Sequence, residues 1–319
     1  LQGYRLLKAK ECIAEIGPRD EAPWFGPYLP TELLLGDPGA RDATLHAIQA
    51  CIPHRRILPT GIDRLVIHRI EPGTRHVWAR ERSRDGNNFL YDVQVTNARG
   101  ELVEQWEGLR LRAVEALAAP KSWPAALLGP YLERRLEELV AGSAVAVAVQ
   151  SLADGDRAAN SQSALRQALA QPERIFRRAD GKPVTTKERG LSAAHSRGFT
   201  LAVAGPGGVA CDVEEVAPRA DGVWADLLGS DRLRMAERIS REQSEDLHTA
   251  ATRLWNVVEC LKKAGLPPEA PVVLDSISDD GWVLFRSGTL MIASGVVSAH
   301  GAEAPLAIGL ALNHASRRP

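Results

Sequence analysis

The stretch GDPGARDATLH, at positions 36–46, decides how the first part of the chain is expected to fold. It opens a helix that we predict over about residues 40–52 from its apolar periodicity. Strand-like alternation follows over about residues 64–70, 76–82, 88–96 and 102–112. The turn NARG, at positions 97–100, joins the last two strands, and its glycine supplies the positive φ that a tight turn needs. The pattern predicts an α+β domain in which an antiparallel sheet wraps around a helix.

That order of elements is the order of a hotdog fold, and the segment resembles the second half of a polyketide synthase dehydratase domain. The resemblance rests on residues 36–46 and on the closing EGLRLR at positions 107–112. It implies that Asp42 is the catalytic acid, with His46 one helical turn later. A dehydratase also needs a histidine from its first half, and the sequence has no segment similar to that motif. We therefore expect no dehydratase activity from this chain alone, and Asp42 also fits a structural role near a helix N-terminus.

A second motif, WNVVECLKKAG at positions 255–265, places Trp255, Glu259 and Lys263 on one helical face. Upstream, VACDVE at positions 209–214 puts Asp212 and Glu214 two residues apart on a probable strand, so both carboxylates project from the same side. Three carboxylates and a cation are thus expected to converge, and hard oxygen ligands of this kind suit Mg²⁺. Taken singly, each element is also explained as a solvated helix pair or as acids at a strand end.

The order of four motifs in residues 130–319 resembles the surfactin-type phosphopantetheinyl transferases. These motifs are GKP at 181–183, His-Ser at 195–196, Asp-x-Glu at 212–214 and Trp-x3-Glu-x3-Lys at 255–263. The resemblance implies transfer of the 4′-phosphopantetheine arm of coenzyme A to a serine of an acyl carrier protein, with release of adenosine 3′,5′-bisphosphate. It also implies a fold of two similar α/β lobes related by a pseudo-twofold axis, here about residues 130–218 and 219–319.

The resemblance assigns roles to individual residues. Asp212, Glu214 and Glu259 match the metal-binding acids, and Glu259 also matches the base for the carrier serine. Lys263 matches the lysine that supports the departing phosphate. Two further positions match residues that contact coenzyme A, namely His195 and Lys182. Val258 departs from the pattern, because the family usually has lysine there.

A small basic cluster precedes the GKP motif and consists of Arg174, Arg177 and Arg178. It is most simply a solvated face. If it is functional, an arginine such as Arg178 would contact the 3′-phosphate of coenzyme A, because a forked donor matches phosphate oxygens.

The expected organisation is a hotdog half at residues 1–115, a proline-rich linker at 116–129 and a transferase at 130–319. This combination resembles the C-terminal end of iterative enediyne polyketide synthases, so the expected partner is the acyl carrier domain of the parent synthase. The chain begins with Leu1, which suggests a piece of something longer. Two alternatives stay open: a noncatalytic docking appendage, and a dehydratase fragment that the terminal domain merely stabilises.

Composition excludes some classes of function. The formal net charge of −1 argues against a nucleic-acid footprint, and no apolar run is long enough to cross a membrane. Four scattered cysteines fit a reducing cytoplasm. An isolated hotdog half would expose a sheet edge, so we expect pairing, for example in a homodimer.

Overall fold

A computed structural model describes residues 1–18, 35–151, 156–169, 173–187, 189–220 and 222–313. The chain divides into two units, Leu1–Ala119 and Pro120–Pro319. Within the described residues, no helix is both long enough and apolar enough to cross a membrane.

The first unit is an antiparallel sheet packed against helix α1 (Pro38–Gln49), which is the arrangement of a hotdog fold. The sheet order is β1-β2-β5-β6-β7-β3, and β4 also pairs with β7. The helix buries Thr44, Ala47 and Ile48. The strands are β1 (Gly3–Leu7), β2 (Glu11–Ile16), β3 (Arg55–Gly61), β4 (Arg64–Ile67), β5 (Arg75–Asp85), β6 (Asn88–Asn97) and β7 (Leu102–Ala116).

The mixed α+β class with an antiparallel sheet is confirmed, as are the helix and four of the strands. Strands β1, β2 and β3 were not predicted. The helix starts at Pro38, where the Asp37 side chain accepts a hydrogen bond from the Gly39 amide at 2.8 Å. Asp42 therefore lies beyond the first turn, and its interpretation as an acid at the helix N-terminus is wrong.

The described residues of the second unit form two main sheets, a two-stranded hairpin and the helices that pack on the sheets. One sheet has the order β11-β12-β8, and the other has the order β13-β17-β16-β15-β14. The helices are α2 (Ala125–Leu139), α3 (Arg157–Leu169), α4 (Val223–Gln243) and α5 (Leu247–Ala264). The strands are β8 (Ala146–Ser151), β9 (Ile175–Arg177), β10 (Pro183–Thr185), β11 (Arg189–Ser196), β12 (Phe199–Pro206), β13 (Val209–Glu215), β14 (Val273–Ile277), β15 (Val283–Ser287), β16 (Leu290–Val297) and β17 (Leu306–Asn313).

The two sheets share one apolar core, to which α2 also contributes. Helix α3 covers the outer face of the smaller sheet, and helices α4 and α5 cover the outer face of the larger sheet. Strand β13 carries apolar residues on both faces: Cys211 and Val213 enter the shared core, and Ala210 packs against α5. The alternation of side chains along the strand therefore directs Asp212 and Glu214 toward α5.

Strands β12 and β13 do not form a hairpin, although residues 205–208 have the composition of a sharp turn: β12 pairs with β11 and β8, whereas β13 pairs with β17. The glycine-rich turn at 205–208 instead carries the chain from one sheet to the other. The linker predicted at 116–129 is shorter, because β7 reaches Ala116 and α2 begins at Ala125 and accommodates Pro130.

Candidate functional site

The centre of the candidate site is an ion pair between strand β13 and helix α5. Lys263 Nζ lies 2.7 Å from Asp212 Oδ1 and donates a hydrogen bond to the Cys211 carbonyl at 3.0 Å. Burial disfavours the ammonium of Lys263, but the charge of Asp212 and the hydrogen bond to it help raise the lysine pKa above its ordinary value. The site thus holds a cation that stays charged although it is largely enclosed.

The Asp212 carboxylate is almost fully enclosed. Burial raises its pKa; Lys263 opposes the rise, and the negative charge of Glu259 adds to it. The second oxygen, Oδ2, is buried and has no hydrogen-bond partner among the described residues. An unpaired buried carboxylate oxygen is costly, so this atom is suited to a donor or a cation that the protein itself does not supply.

Two more carboxylates, those of Glu214 and Glu259, interact electrostatically with Asp212. Burial and the charge of Asp212 raise the pKa of Glu214; a hydrogen bond from the Trp255 side chain opposes this, and the charge of Glu259 adds to it. Glu259 is partly exposed and pairs with Lys262, whose Nζ lies 2.6 Å from Glu259 Oε1. Lys262 Nζ also lies 4.9 Å from the centroid of the Trp255 ring. Lys262 thus supplies a cation beside Glu259, whereas Val258 is buried in the apolar core that includes residues of α4, α5 and the larger sheet.

These residues were predicted to hold Mg²⁺. Among the described residues, no group of three or more His, Cys, Asp or Glu side chains is arranged as a metal cage. The chemistry of the donors nevertheless fits a hard cation, because Asp212 Oδ2 has no partner and the pKa values of Asp212 and Glu214 are both raised. A divalent cation would favour the charged form of both carboxylates.

Lys182, from the GKP motif, joins the site from the β9–β10 hairpin. Its Nζ donates a hydrogen bond to the Lys263 carbonyl at 3.0 Å. Lys263 lies in the last turn of α5, so this ammonium also complements the negative end of the helix dipole. Lys182 therefore braces the end of the helix that carries Lys263.

His195 faces helix α3, on the outer side of the smaller sheet. Its Nε2 is 2.7 Å from Ser161 Oγ, and its Nδ1 is 3.0 Å from Thr200 Oγ1. Burial lowers the pKa of His195, and the charges of Arg157, Lys263 and Arg177 lower it further, in that order. The imidazole is therefore held neutral between two buried hydroxyls in a cationic setting.

The arginines near His195 differ from the one that the sequence suggested. Arg178 is exposed, and its guanidinium lies 3.5 Å from Asp180 Oδ2. Arg157 and Arg177 instead act electrostatically on His195. Sequence reasoning missed Arg157, Ser161 and Thr200. The contact between Ser161 and His195 spans 34 positions, and no local sequence pattern predicts it.

The candidate residues of the first unit lie on an open helix face. Asp42 Oδ2 is 3.3 Å from His46 Nε2, and both side chains are about 70 % exposed. A buried ion cluster begins at Arg41, the residue before Asp42. Arg41 forms a bidentate pair with Glu104, at 3.0 and 3.1 Å. Trp106 also donates to that carboxylate, at 3.0 Å, and the Arg75 guanidinium lies 3.5 Å from it. This cluster ties α1 to the sheet and does not include Asp42.

Comparison with known proteins finds a family similar to the first unit. Residues 4–121 match the sequence model of the polyketide synthase dehydratase N-terminal domain. The first unit is thus similar to a polyketide synthase dehydratase domain, and the match covers less than half of the chain. The matched model describes the N-terminal domain, whereas motifs at 36–46 and 107–112 suggested the second half. The match therefore does not carry over the roles suggested for Asp42 and His46. No curated protein matches the chain.

Three solved structures are distantly similar to this chain. A mutant hypothetical protein from Staphylococcus aureus has 15 % identity over 36 % of this chain and 93 % of its own, with a TM-score of 0.27. A putative esterase from Mycobacterium tuberculosis has 16 % identity over 36 % and 93 %, with a TM-score of 0.28. The tesB protein of Mycobacterium avium subs paratuberculosis has 10 % identity over 97 % and 94 %, with a TM-score of 0.22. Scores this low support no inference about function.

Proposed function

We propose that this chain is part of a polyketide synthase and that its two units have separate tasks. The family match over residues 4–121 supports a dehydratase-type role for the first unit. The buried Lys263–Asp212 pair beside two further carboxylates supports phosphoryl-group chemistry in the second unit. The enediyne type of the synthase stays a prediction.

The first unit is proposed to act as one half of a dehydratase and to need a complementary half. Its candidate acid, Asp42, faces solvent beside His46, and an exposed pair lacks the enclosed setting typical of acid–base sites. We expect no dehydration of a β-hydroxyacyl thioester by this chain alone. Dehydration that is lost in Asp42→Asn would contradict this and would make the dehydratase fragment the main function.

The second unit is proposed to transfer the phosphopantetheine arm of coenzyme A to a carrier-protein serine. Asp212, Glu214 and Glu259 would hold Mg²⁺, which neutralises charge on the diphosphate when bound. As adenosine 3′,5′-bisphosphate leaves, the fixed ammonium of Lys263 stabilises the charge that develops on the bridging oxygen of the diphosphate.

Glu259 is the residue proposed to accept the proton of the carrier serine. Its side chain is partly exposed at the edge of the site, where an incoming hydroxyl can reach it directly or through one water. Lys262 Nζ lies 2.6 Å from Glu259 Oε1 on the same helix. Holding the serine beside the diphosphate then makes the reaction effectively intramolecular.

His195 and Lys182 are proposed to serve coenzyme A binding. Neutral His195 lies among Arg157, Arg177 and Lys263, which together attract phosphate groups. The carrier domain of the parent synthase is the proposed acceptor, and the cytoplasm, where coenzyme A is available, is the proposed location.

The test is the intact mass of an apo carrier domain after incubation with this chain, coenzyme A and Mg²⁺. We expect a gain of one phosphopantetheine with the wild type and with Asp42→Asn, and no gain with Glu259→Ala. If the wild type gives no gain on a carrier that an established transferase can load, the noncatalytic appendage is the better description of the second unit.

A further inference from the structure

Helix α5 meets the sheet at the same two levels as the candidate carboxylates. In the antiparallel pairing of β13 with β17, Asp212 stands opposite Gly309 and Glu214 stands opposite Ala307. The helix contacts the sheet at both Gly309 and Ala307. Whatever fixes α5 at these two levels therefore also fixes the distances from Lys263 and Glu259 to the acids.

The first contact is made by Asn256, which is fully buried in the middle of the helix. Its Nδ2 donates to the Ala307 carbonyl at 2.7 Å and lies 3.5 Å from the Asp212 carbonyl. Its Oδ1 is buried without a hydrogen-bond partner among the described residues. A half-satisfied amide is a poor choice for stability, because an apolar side chain would avoid the unpaired oxygen. The amide is directional: it donates mainly to the Ala307 carbonyl and so sets the position of the helix along the strand.

The second contact is a close approach of α5 to Gly309, which is possible because this residue has no side chain. A Cβ at this position would stand 3.0 Å from Cys260 Sγ and 3.2 Å from Asn256 Cβ. Both atoms belong to α5, so a larger residue would push the helix away from β17. The glycine allows the helix backbone to approach β17 at the position beside Asp212 on the neighbouring strand.

From these contacts we infer that Asn256 is a positioning residue, which, together with the gap at Gly309, sets helix α5 so that Lys263 and Glu259 face Asp212 and Glu214. The inference rests on the proposed transferase function of that site. Asn256 touches neither the diphosphate nor the serine in this scheme. It acts through the helix, and a displacement on the order of 1 Å at a reacting group costs about 100-fold in rate.

The test compares Asn256→Leu with Thr252→Val, a matched change one turn earlier on the same helix. Thr252 is also buried, but its hydroxyl donates within the helix, to the His248 carbonyl at 2.7 Å. We expect Asn256→Leu to keep its melting temperature, to lower kcat about 10- to 100-fold and to leave KM for coenzyme A within about twofold. Thr252→Val should change neither kinetic constant. Gly309→Ala keeps the amide of Asn256 but displaces the helix through contacts with Cys260 Sγ and Asn256 Cβ. It should lower kcat in the same way, and it provides the test if Asn256→Leu does not fold.

A second readout needs no substrate. The side-chain nitrogen signals of a ¹⁵N-lysine-labelled sample report seven lysines, and Lys263→Arg identifies the signal of Lys263. This signal should move in Asn256→Leu and stay in place in Thr252→Val. An unmoved signal with unchanged kcat in folded Asn256→Leu would overturn the inference, as would equal losses in both variants. A wild type that transfers nothing refutes the proposed function, and the lysine signal still decides whether Asn256 sets the helix.

Discussion

Each of the two units carries an aspartate paired with a basic side chain. The two pairs differ in sequence separation, in distance and in exposure to solvent. In the first unit, Asp42 and His46 are neighbours on one helix, 3.3 Å apart and about 70 % exposed. In the second, Asp212 and Lys263 come from a strand and a helix, 51 positions apart in sequence and 2.7 Å apart in space. The Asp212 side chain is only 7 % exposed.

The difference shows why a motif alone does not identify a working site. An exposed pair within one helix is screened by water, so it contributes little to the free energy of folding. A pair assembled from distant elements requires the fold to enclose charge, and the resulting unpaired oxygen and raised pKa values are typical of sites that bind or react.

The largest effects should come from breaking the buried pair. Lys263→Met keeps the side-chain volume but leaves Asp212 enclosed without its partner, and we expect a loss of about 3 kcal/mol in the free energy of unfolding. Phosphopantetheine transfer should fall at least about 100-fold, because the fixed cation at the leaving oxygen is lost. Urea unfolding and the carrier mass assay measure the two effects.

Asp42→Asn is the matched change in the other unit and should alter unfolding by no more than about 0.5 kcal/mol. Equal losses in Lys263→Met and Asp42→Asn would remove the contrast between the two pairs.

A somewhat smaller loss of stability is expected in the first unit, away from its motif acid. Glu104 is enclosed and bonds Arg41 through both oxygens. Glu104→Gln keeps the shape of the side chain but leaves the guanidinium donors without a charged partner. We therefore expect the free energy of unfolding to fall by about 2 kcal/mol. The control is Glu115→Gln, whose exposed carboxylate pairs with Arg56 on the surface and should change unfolding by less than about 0.5 kcal/mol. A neutral Glu104→Gln would show that this cluster does not hold α1.

The sequence could predict features that depend on local periodicity. The α+β class, helix α1 and the motif helix α5 follow from spacing, and so does the common face of Asp212 and Glu214. Pairing between distant strands is not local: β12 and β13 resemble a hairpin in sequence, but each finds its partners in a different sheet. The contacts of His195 with Ser161 and of Asn256 with Ala307 depend on that pairing, so neither could be predicted.

The basic cluster offers a kinetic test of moderate size. Arg157 acts on His195, whereas Arg178 points to solvent beside Asp180. Arg157→Gln should raise KM for coenzyme A several-fold, because an attractive charge near the phosphates is lost, and Arg178→Gln should change it less than about twofold. Steady-state kinetics with saturating carrier measures both. The reverse order would restore Arg178 as the coenzyme A contact that the sequence suggested.

The smallest expected effect is a pH dependence of stability that distinguishes the histidines of the two units. The pKa of His195 in the folded protein is lowered below the ordinary 6.5 by burial and by the charges of Arg157, Lys263 and Arg177. Above pH 6.5, both the folded and the unfolded chain hold this histidine neutral, so it adds no pH dependence there. As the pH falls below 6.5, the unfolded chain takes up the proton first, and stability decreases until the pH has passed the lowered folded pKa.

His195→Gln should therefore reduce the loss of melting temperature between about pH 7.5 and pH 5.5, since glutamine takes up no proton in either state. His46→Gln should leave that loss unchanged, because the His46 side chain stands in solvent on α1. If His46→Gln altered acid sensitivity as much as His195→Gln, the enclosure of His195 between Ser161 and Thr200 would have no energetic consequence. The buried and exposed sites would then differ in geometry but not in the free energy of their protonation.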